Sequence, residues 1–266
     1  MSTAPTAPGP TPPGRPVTLI TGASSGFGAA LAPRFARDGD TVVLTARREA
    51  ELSAVADAIR AQGGDALAFP LDVADGAAVA AVVAEVTRLR GPVTRLVANA
   101  GISDPTRVER WNTARLQHTF AVNVAGVSHC IEQVLPSMLE RRSGHLVAIA
   151  SLAGLRGLPG SASYSASKAA VIALMESLRI ELQHKGVKVS TILPGFVKTP
   201  MTAKNRFPMP FLMDLEPAAD RMHRAIVRQK KEYAFPWQLA TLVRLARLLP
   251  NAIYDRALAG KRVEKG

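Results

Sequence analysis

A single cysteine, Cys130, stands among 266 residues. One thiol excludes an internal disulfide, and a cysteine-rich metal site cannot be built from it. No stretch approaches 18 uncharged apolar residues, which argues against a membrane-spanning helix. The chain does not open on a basic stretch followed by an apolar run, so no signal peptide is expected and the cytoplasm is the expected compartment. Acidic residues are also short: 21 Asp and Glu face 33 Lys and Arg, for a formal charge of +12. Such a charge attracts nucleic acid, an anionic membrane surface or an anionic cofactor. Yet there is no zinc-finger spacing, no RNA-binding aromatic pair and no long Lys/Arg block. A solvated basic surface is the favoured reading, and nucleic acid is not an expected partner.

What is present is a globular composition, 47% hydrophobic and 20% charged. Six prolines fall between Pro5 and Pro16, so residues 1–16 are expected to form a mobile, extended tail. Residues 17–266 then read as one domain. Apolar, β-rich runs at 17–21, 41–46, 66–71, 93–100, 144–151, 187–195 and 232–236 alternate with helical patterns at 26–38, 75–89, 119–141, 163–185 and 216–230. ELSAVADAIRAQG supplies a further amphipathic helix after the second run. Strands apolar on both faces that alternate with helices predict an α/β fold. The sheet is expected to be Rossmann-type, doubly wound, mainly parallel and seven-stranded.

The first chemical signal is TGASSGFG at 21–28. Gly22, Gly26 and Gly28, with Ser24, Ser25 and Phe27 between them, lie where the first strand turns into its helix. Missing side chains there allow a tight turn and close approach to a pyrophosphate at a helix N-terminus. The second signal ends the second strand. An acid for the ribose of NAD is expected there, but the chain reads TARRE. Arg47, with Arg48 as a helper, suits the extra phosphate of NADP(H), unless both are merely solvated at the start of the next helix. Asp72 and Val73 follow the third strand, and Asn99, Ala100 and Gly101 follow the fourth. Asp72 suits either the adenine amino group or a turn cap.

The third signal is ASYSASKAA at 162–170. Tyr164 and Lys168, four residues apart, share one face of a helix. A lysine beside a tyrosine can hold a ribose and favour the phenolate, which suits the tyrosine to proton transfer at a carbonyl or alcohol oxygen. Ser151, just past an apolar strand, can orient that oxygen, and Asn123 in FAVNVAG can extend the proton path.

Together these residues resemble the classical group of the short-chain dehydrogenase/reductase superfamily over about residues 16–235. The resemblance implies a catalytic set of Asn123, Ser151, Tyr164 and Lys168. It also implies cofactor contacts from Pro194, Gly195, Val197 and Thr199, an NADP preference through Arg47, and no catalytic metal. Phe27 departs from the small aliphatic residue common in the glycine turn and is expected to narrow the nicotinamide side of the pocket.

The implied activity is NADPH-dependent interconversion of a carbonyl and a secondary alcohol by hydride transfer, on an apolar small molecule. Reduction of carrier-bound 3-oxoacyl groups and a non-catalytic NADP-binding role are the alternatives. The resemblance further implies a homodimer or homotetramer joined through helices near 110–140 and 163–185. Residues 200–215, with Met201, Phe207, Met209, Phe211, Leu212 and Met213, read either as a substrate lid or as core cover. Residues 237–260 read as a helical extension. There Leu239, Leu242, Val243, Ala246 and Leu249 form an apolar face, broadened by Leu245 and Leu248, with Arg244 and Arg247 on another side. Packing over the pocket or against another subunit is favoured for that face over peripheral membrane contact.

Overall fold

The computed structural model describes residues 14–205 and 207–259. The tail expected over 1–16 lies, but for its last three residues, outside them. Seven strands form one parallel sheet. They are β1 (Val17–Thr21), β2 (Thr41–Ala46), β3 (Asp65–Pro70), β4 (Arg95–Ala98), β5 (Gly144–Ile149), β6 (Val187–Pro194) and β7 (Glu232–Phe235), in the spatial order β3-β2-β1-β4-β5-β6-β7. The α/β, doubly wound expectation is borne out.

Alternation along each strand divides the core. Leu19, Val43, Leu96 and Leu146 face one side, over the helices α3 (Gly76–Arg90), α5 (Gly126–Glu140) and α6 (Ala162–Glu181). Their neighbours Ile20, Val42, Val97 and Val147 face the other. There Leu31 and Phe35 of α1 (Gly26–Arg37), Leu52 and Ile59 of α2 (Glu49–Ala61), and Met222 and Ile226 of α7 (Leu215–Val227) cover them. A sheet covered on both faces needs strands apolar on both faces, which explains the unbroken hydrophobic runs. The strand order reverses between β1 and β4, so their carboxyl ends open a crevice between two diverging connections.

Three local features differ from expectation. The fourth strand is shorter than 93–100, because Thr94 is already bonded to both backbone groups of Val17 and Asn99 turns its side chain to the end of β1. The helix expected from residue 119 begins earlier, as α4 (Thr113–Phe120), where the Asn112 side chain accepts from Arg115 N at 3.2 Å. It then passes through a π-helical turn, Ala121–Ala125, into α5. The C-terminal segment is broken at Pro250 into α8 (Trp237–Leu248) and α9 (Asn251–Leu258), as a proline that cannot continue a helix requires. Between β6 and α7 the described residues hold turns and isolated bridge positions, among them the bridge of Val197 to Met213. Among the described residues, no helix is long and apolar enough to cross a membrane.

Candidate active site

The turn after β1 is built by close packing. Gly22 and Gly26 have φ of +66° and +56°, a region costly for residues with a Cβ. A Cβ on Gly22 would lie 2.8 Å from Ala100 Cα, and one on Gly28 would lie 2.5 Å from the carbonyl oxygen of Gly22. Asn99 fastens this arrangement, since its Nδ2 donates to the carbonyls of Thr21 at 2.8 Å and Gly22 at 3.2 Å. The Thr21 hydroxyl accepts from the amides of both Asn99 and Ala100 at 3.0 Å. Ser25, the N-cap of α1, makes no side-chain cap, so its side chain does not satisfy the first-turn amides of the helix.

A cleft of about 290 Å³ runs from this turn across the ends of β4 and β5. Every candidate catalytic or cofactor-binding residue lines it except Gly28, which packs beneath the turn, and Asn123, which is fully buried; of the apolar side chains expected in the lid only Met201 does. Sequence reasoning missed Ile102 and Thr202 among its walls, and read Met201 only as lid or core cover. The Thr202 hydroxyl donates to the Val197 carbonyl at 2.6 Å and accepts from the amide of Thr199 at 3.0 Å, so it fixes the wall after β6. A threonine three residues beyond Thr199 is a recognisable local turn-former and was the available signal.

At the β2 end the two arginines divide. Arg48 Nη2 donates to the hydroxyls of Ser24 at 2.9 Å and Ser25 at 2.6 Å, whereas Arg47 lies 3.8 Å from the Asp72 carboxylate. Asp72 also accepts from the Ala74 amide at 3.0 Å, so its turn-capping role is present.

Ser151, Tyr164 and Lys168 converge at the other end. Ser151 follows β5, its hydroxyl accepting from Ala153 N at 3.1 Å and bonded to the phenol of Tyr164. Burial pushes the Tyr164 phenol above its ordinary range, and the Ser151 hydrogen bond partly offsets this. Lys168 is only 5% exposed. Its Nζ donates to the Ile149 carbonyl at 2.7 Å and sits 5.9 Å from the Tyr164 ring centroid. Burial lowers its pKa to about 8.

Asn123, in the π turn, accepts from Ile102 N at 2.8 Å. It donates to the Ile102 carbonyl at 3.0 Å and to Ser167 Oγ at 2.9 Å. Ser167 in turn donates to the Tyr164 carbonyl, so Asn123 braces the helix that carries the pair. A Cβ on Gly101 would come within 3.5 Å of Lys168 Nζ and 3.3 Å of Asn123 Oδ1, so glycine keeps the approach to the lysine open.

This cleft can take an extended anionic ligand. A glycine-rich turn, a helix N-terminus and two arginines lie at one end, and the hydroxyls of Ser151 and Tyr164 lie at the other. Among the described residues, no group of three His, Cys, Asp or Glu side chains is placed to hold a metal ion. Fold and cleft define a doubly wound α/β protein whose ligand crevice lies at the strand-order reversal.

The short chain dehydrogenase family model matches residues 16–209. An "Uncharacterized oxidoreductase" of Myxococcus xanthus (strain DK1622) is 44% identical over 239 residues, 90% of this chain and 94% of the relative. A "3-oxoacyl-[acyl-carrier-protein] reductase" of Staphylococcus aureus (strain Mu50) is 37% identical over 185 residues, 69% and 75% of the two chains. The crystal structure of gox2181 superposes with a TM-score of 0.77 at 24% identity, covering 83% of this chain and 93% of that one, and shares the fold. The chain belongs to the short-chain dehydrogenase family and is an oxidoreductase acting on carbonyl and alcohol groups.

Proposed function

We propose that the protein is an NADPH-dependent reductase of apolar carbonyl compounds, with Tyr164 as the proton donor. The observation that carries this reading is the Ser151–Tyr164 hydrogen bond beside buried Lys168, at one end of a cleft whose other end holds the glycine turn and Arg48. NADPH, when bound, supplies the hydride. The protein's part is the oxygen. Tyr164, kept protonated by burial, gives its phenolic proton to the carbonyl oxygen as negative charge develops there, and Ser151 donates a second hydrogen bond to the same oxygen. Lys168 spends one of its three donors on Ile149 and keeps the others for the ribose, while its charge stabilises the phenolate left behind.

Asn123 has its side chain committed to Ile102 and Ser167, so its share of proton relay falls to its backbone. The π turn, which breaks the i→i−4 pattern there, favours that. Arg48 rather than Arg47 takes the leading position for the 2′-phosphate, because it already spans Ser24 and Ser25. Arg47 then closes over the adenine side with Asp72. The name of the Staphylococcus relative favours a second reading, reduction of carrier-bound 3-oxoacyl groups, on sequence similarity alone.

A panel of ketones, aldehydes and 3-oxoacyl thioesters, read by loss of NADPH absorbance, tests the activity. Tyr164→Phe should keep NADPH binding, measured by cofactor fluorescence, and lose about 10²–10⁴ in kcat. Wild-type turnover by that variant would remove Tyr164 from the mechanism. Binding without turnover across the whole panel would point to a non-catalytic NADP-binding role.

A further inference from the structure

The structure leaves much of the C-terminal apolar surface uncovered. Leu239, Ala240 and Val243 of α8 pack onto the core, but Trp237 is 69% exposed and Leu248 80%, and Leu242 and Leu245 are also more than half exposed. At the pitch of an α-helix these four fall within an arc of about 140°. Leu249 and, on α9, Ile253 add to the exposed apolar surface. A monomeric protein rarely leaves so much contiguous apolar surface to water without a use.

Charge selects the occupant. Helix α8 carries no acidic residue; exposed Arg244 lies about 20° beyond the Trp237 edge of the apolar arc and exposed Arg247 about 80° beyond it. Arg244 is paired with Glu232 at 2.6 Å, and Arg247 has no ion pair among the described residues. Residues 237–266 hold six Lys and Arg against two Asp and Glu, and the whole chain carries +12. A second copy seated on this face across a twofold axis would set these arginines against themselves, with no carboxylate on α8 to answer them. An anionic lipid headgroup layer supplies both an apolar phase for the leucines and Trp237 and negative charge for the arginines.

We propose that α8 is a peripheral docking surface for anionic lipid bilayers. The helix also borders the cleft, since a Cβ on Gly195, a cleft residue, would meet Leu239 at 2.7 Å. Docking through α8 would therefore bring the substrate side of the cleft near the acyl boundary, where apolar carbonyl compounds partition. This goes beyond the reductase reading and does not depend on it.

The test is sedimentation of the full chain with phosphatidylcholine vesicles, with and without phosphatidylglycerol. The protein should pellet with the phosphatidylglycerol vesicles, less so as salt is raised. Leu245→Ser with Leu248→Ser should weaken this by at least about tenfold, whereas Val108→Ser, removing an equally exposed side chain elsewhere, should leave it unchanged. Arg247→Glu provides a second variant, which should lose the preference for phosphatidylglycerol even if the leucine pair folds poorly. Absence of pelleting, or pelleting indifferent to both the leucine pair and Arg247→Glu, would overturn the proposal. So would light scattering in which the leucine pair converts an oligomer to a smaller species, because the face would then be a self-contact.

Discussion

Lys168 carries an ammonium into a site that disfavours it. Its ordinary pKa of 10.5 falls to about 8 through burial, so between these values the unfolded chain binds a proton that the folded chain has lost. Stability contributed by this group therefore rises as pH increases through that window. Tyr164 acts in the opposite sense at higher pH, because its raised pKa lets the folded phenol keep a proton that the unfolded chain releases. Urea unfolding from pH 8 to pH 10 should show a rising contribution in the wild type that is missing in Lys168→Met; parallel curves would contradict the burial argument.

The arginines invite a second test at this scale. Arg48→Ala should raise the KM for NADPH by about tenfold or more, the worth of a charged hydrogen bond. It should change the KM for NADH little, with Arg47→Ala the milder variant, and the reverse ranking would restore Arg47 as the principal contact. Two adjacent arginines in TARRE showed that cations were available at the end of β2. Which of them turns toward Ser24 and Ser25 depends on the backbone at the start of α2, and no spacing rule encodes that. The positions after β1 to β6 were legible because they sit at strand ends fixed by the fold, and Tyr164 and Lys168 because a four-residue spacing shares one helix face. Asn123's bonds to Ile102 and Ser167 were not legible, since they join segments 21 and 44 residues away.

At the scale of elements, the seven strands were legible because a sheet covered on both faces demands uninterrupted apolar runs. The start of α4 was hidden for the converse reason: TARLQHTF buries only Thr119, so it shows no apolar period to read. The π turn was equally silent, because FAVNVAG reads as continuous helix. A connection between elements also carries a prediction. The Arg156 guanidinium, five residues beyond Ser151, donates to the carbonyls of Ala246 and Leu249 at the end of α8, the latter at 2.9 Å. It lies 3.8 Å over the Tyr254 ring, and the Tyr254 hydroxyl donates to the Gly157 carbonyl at 2.7 Å. One side chain thus ties the Ser151 connection to both C-terminal helices. Arg156→Ala should loosen α9 in hydrogen exchange and raise the substrate KM several-fold, with the KM for NADPH nearly unchanged. Arg156→Lys should restore little, because an ammonium lacks the planar fork that spans those carbonyls. Equal effects on both KM values would mean a general loss of stability instead.

The whole molecule presents two unlike surfaces, and their difference bears on assembly. Along α6, Ala162, Ala166, Ala169 and Ala173 face outward, at steps of three and four residues. A strip of small side chains lets a second helix approach closely and carries no charge to oppose its own copy across a twofold axis. The α8 face is large-apolar and flanked on one side by arginines, which disfavours pairing with itself. The prediction is therefore that self-association, expected as a homodimer or homotetramer, uses the α6 strip rather than the α8 face. Ala166→Arg places a bulky cation in the middle of the strip without entering the core, so the thermal unfolding of the separated subunit should be little changed. Light scattering should show the oligomer of the wild type reduced to a smaller species in this variant, and an unchanged mass would place the subunit contact elsewhere.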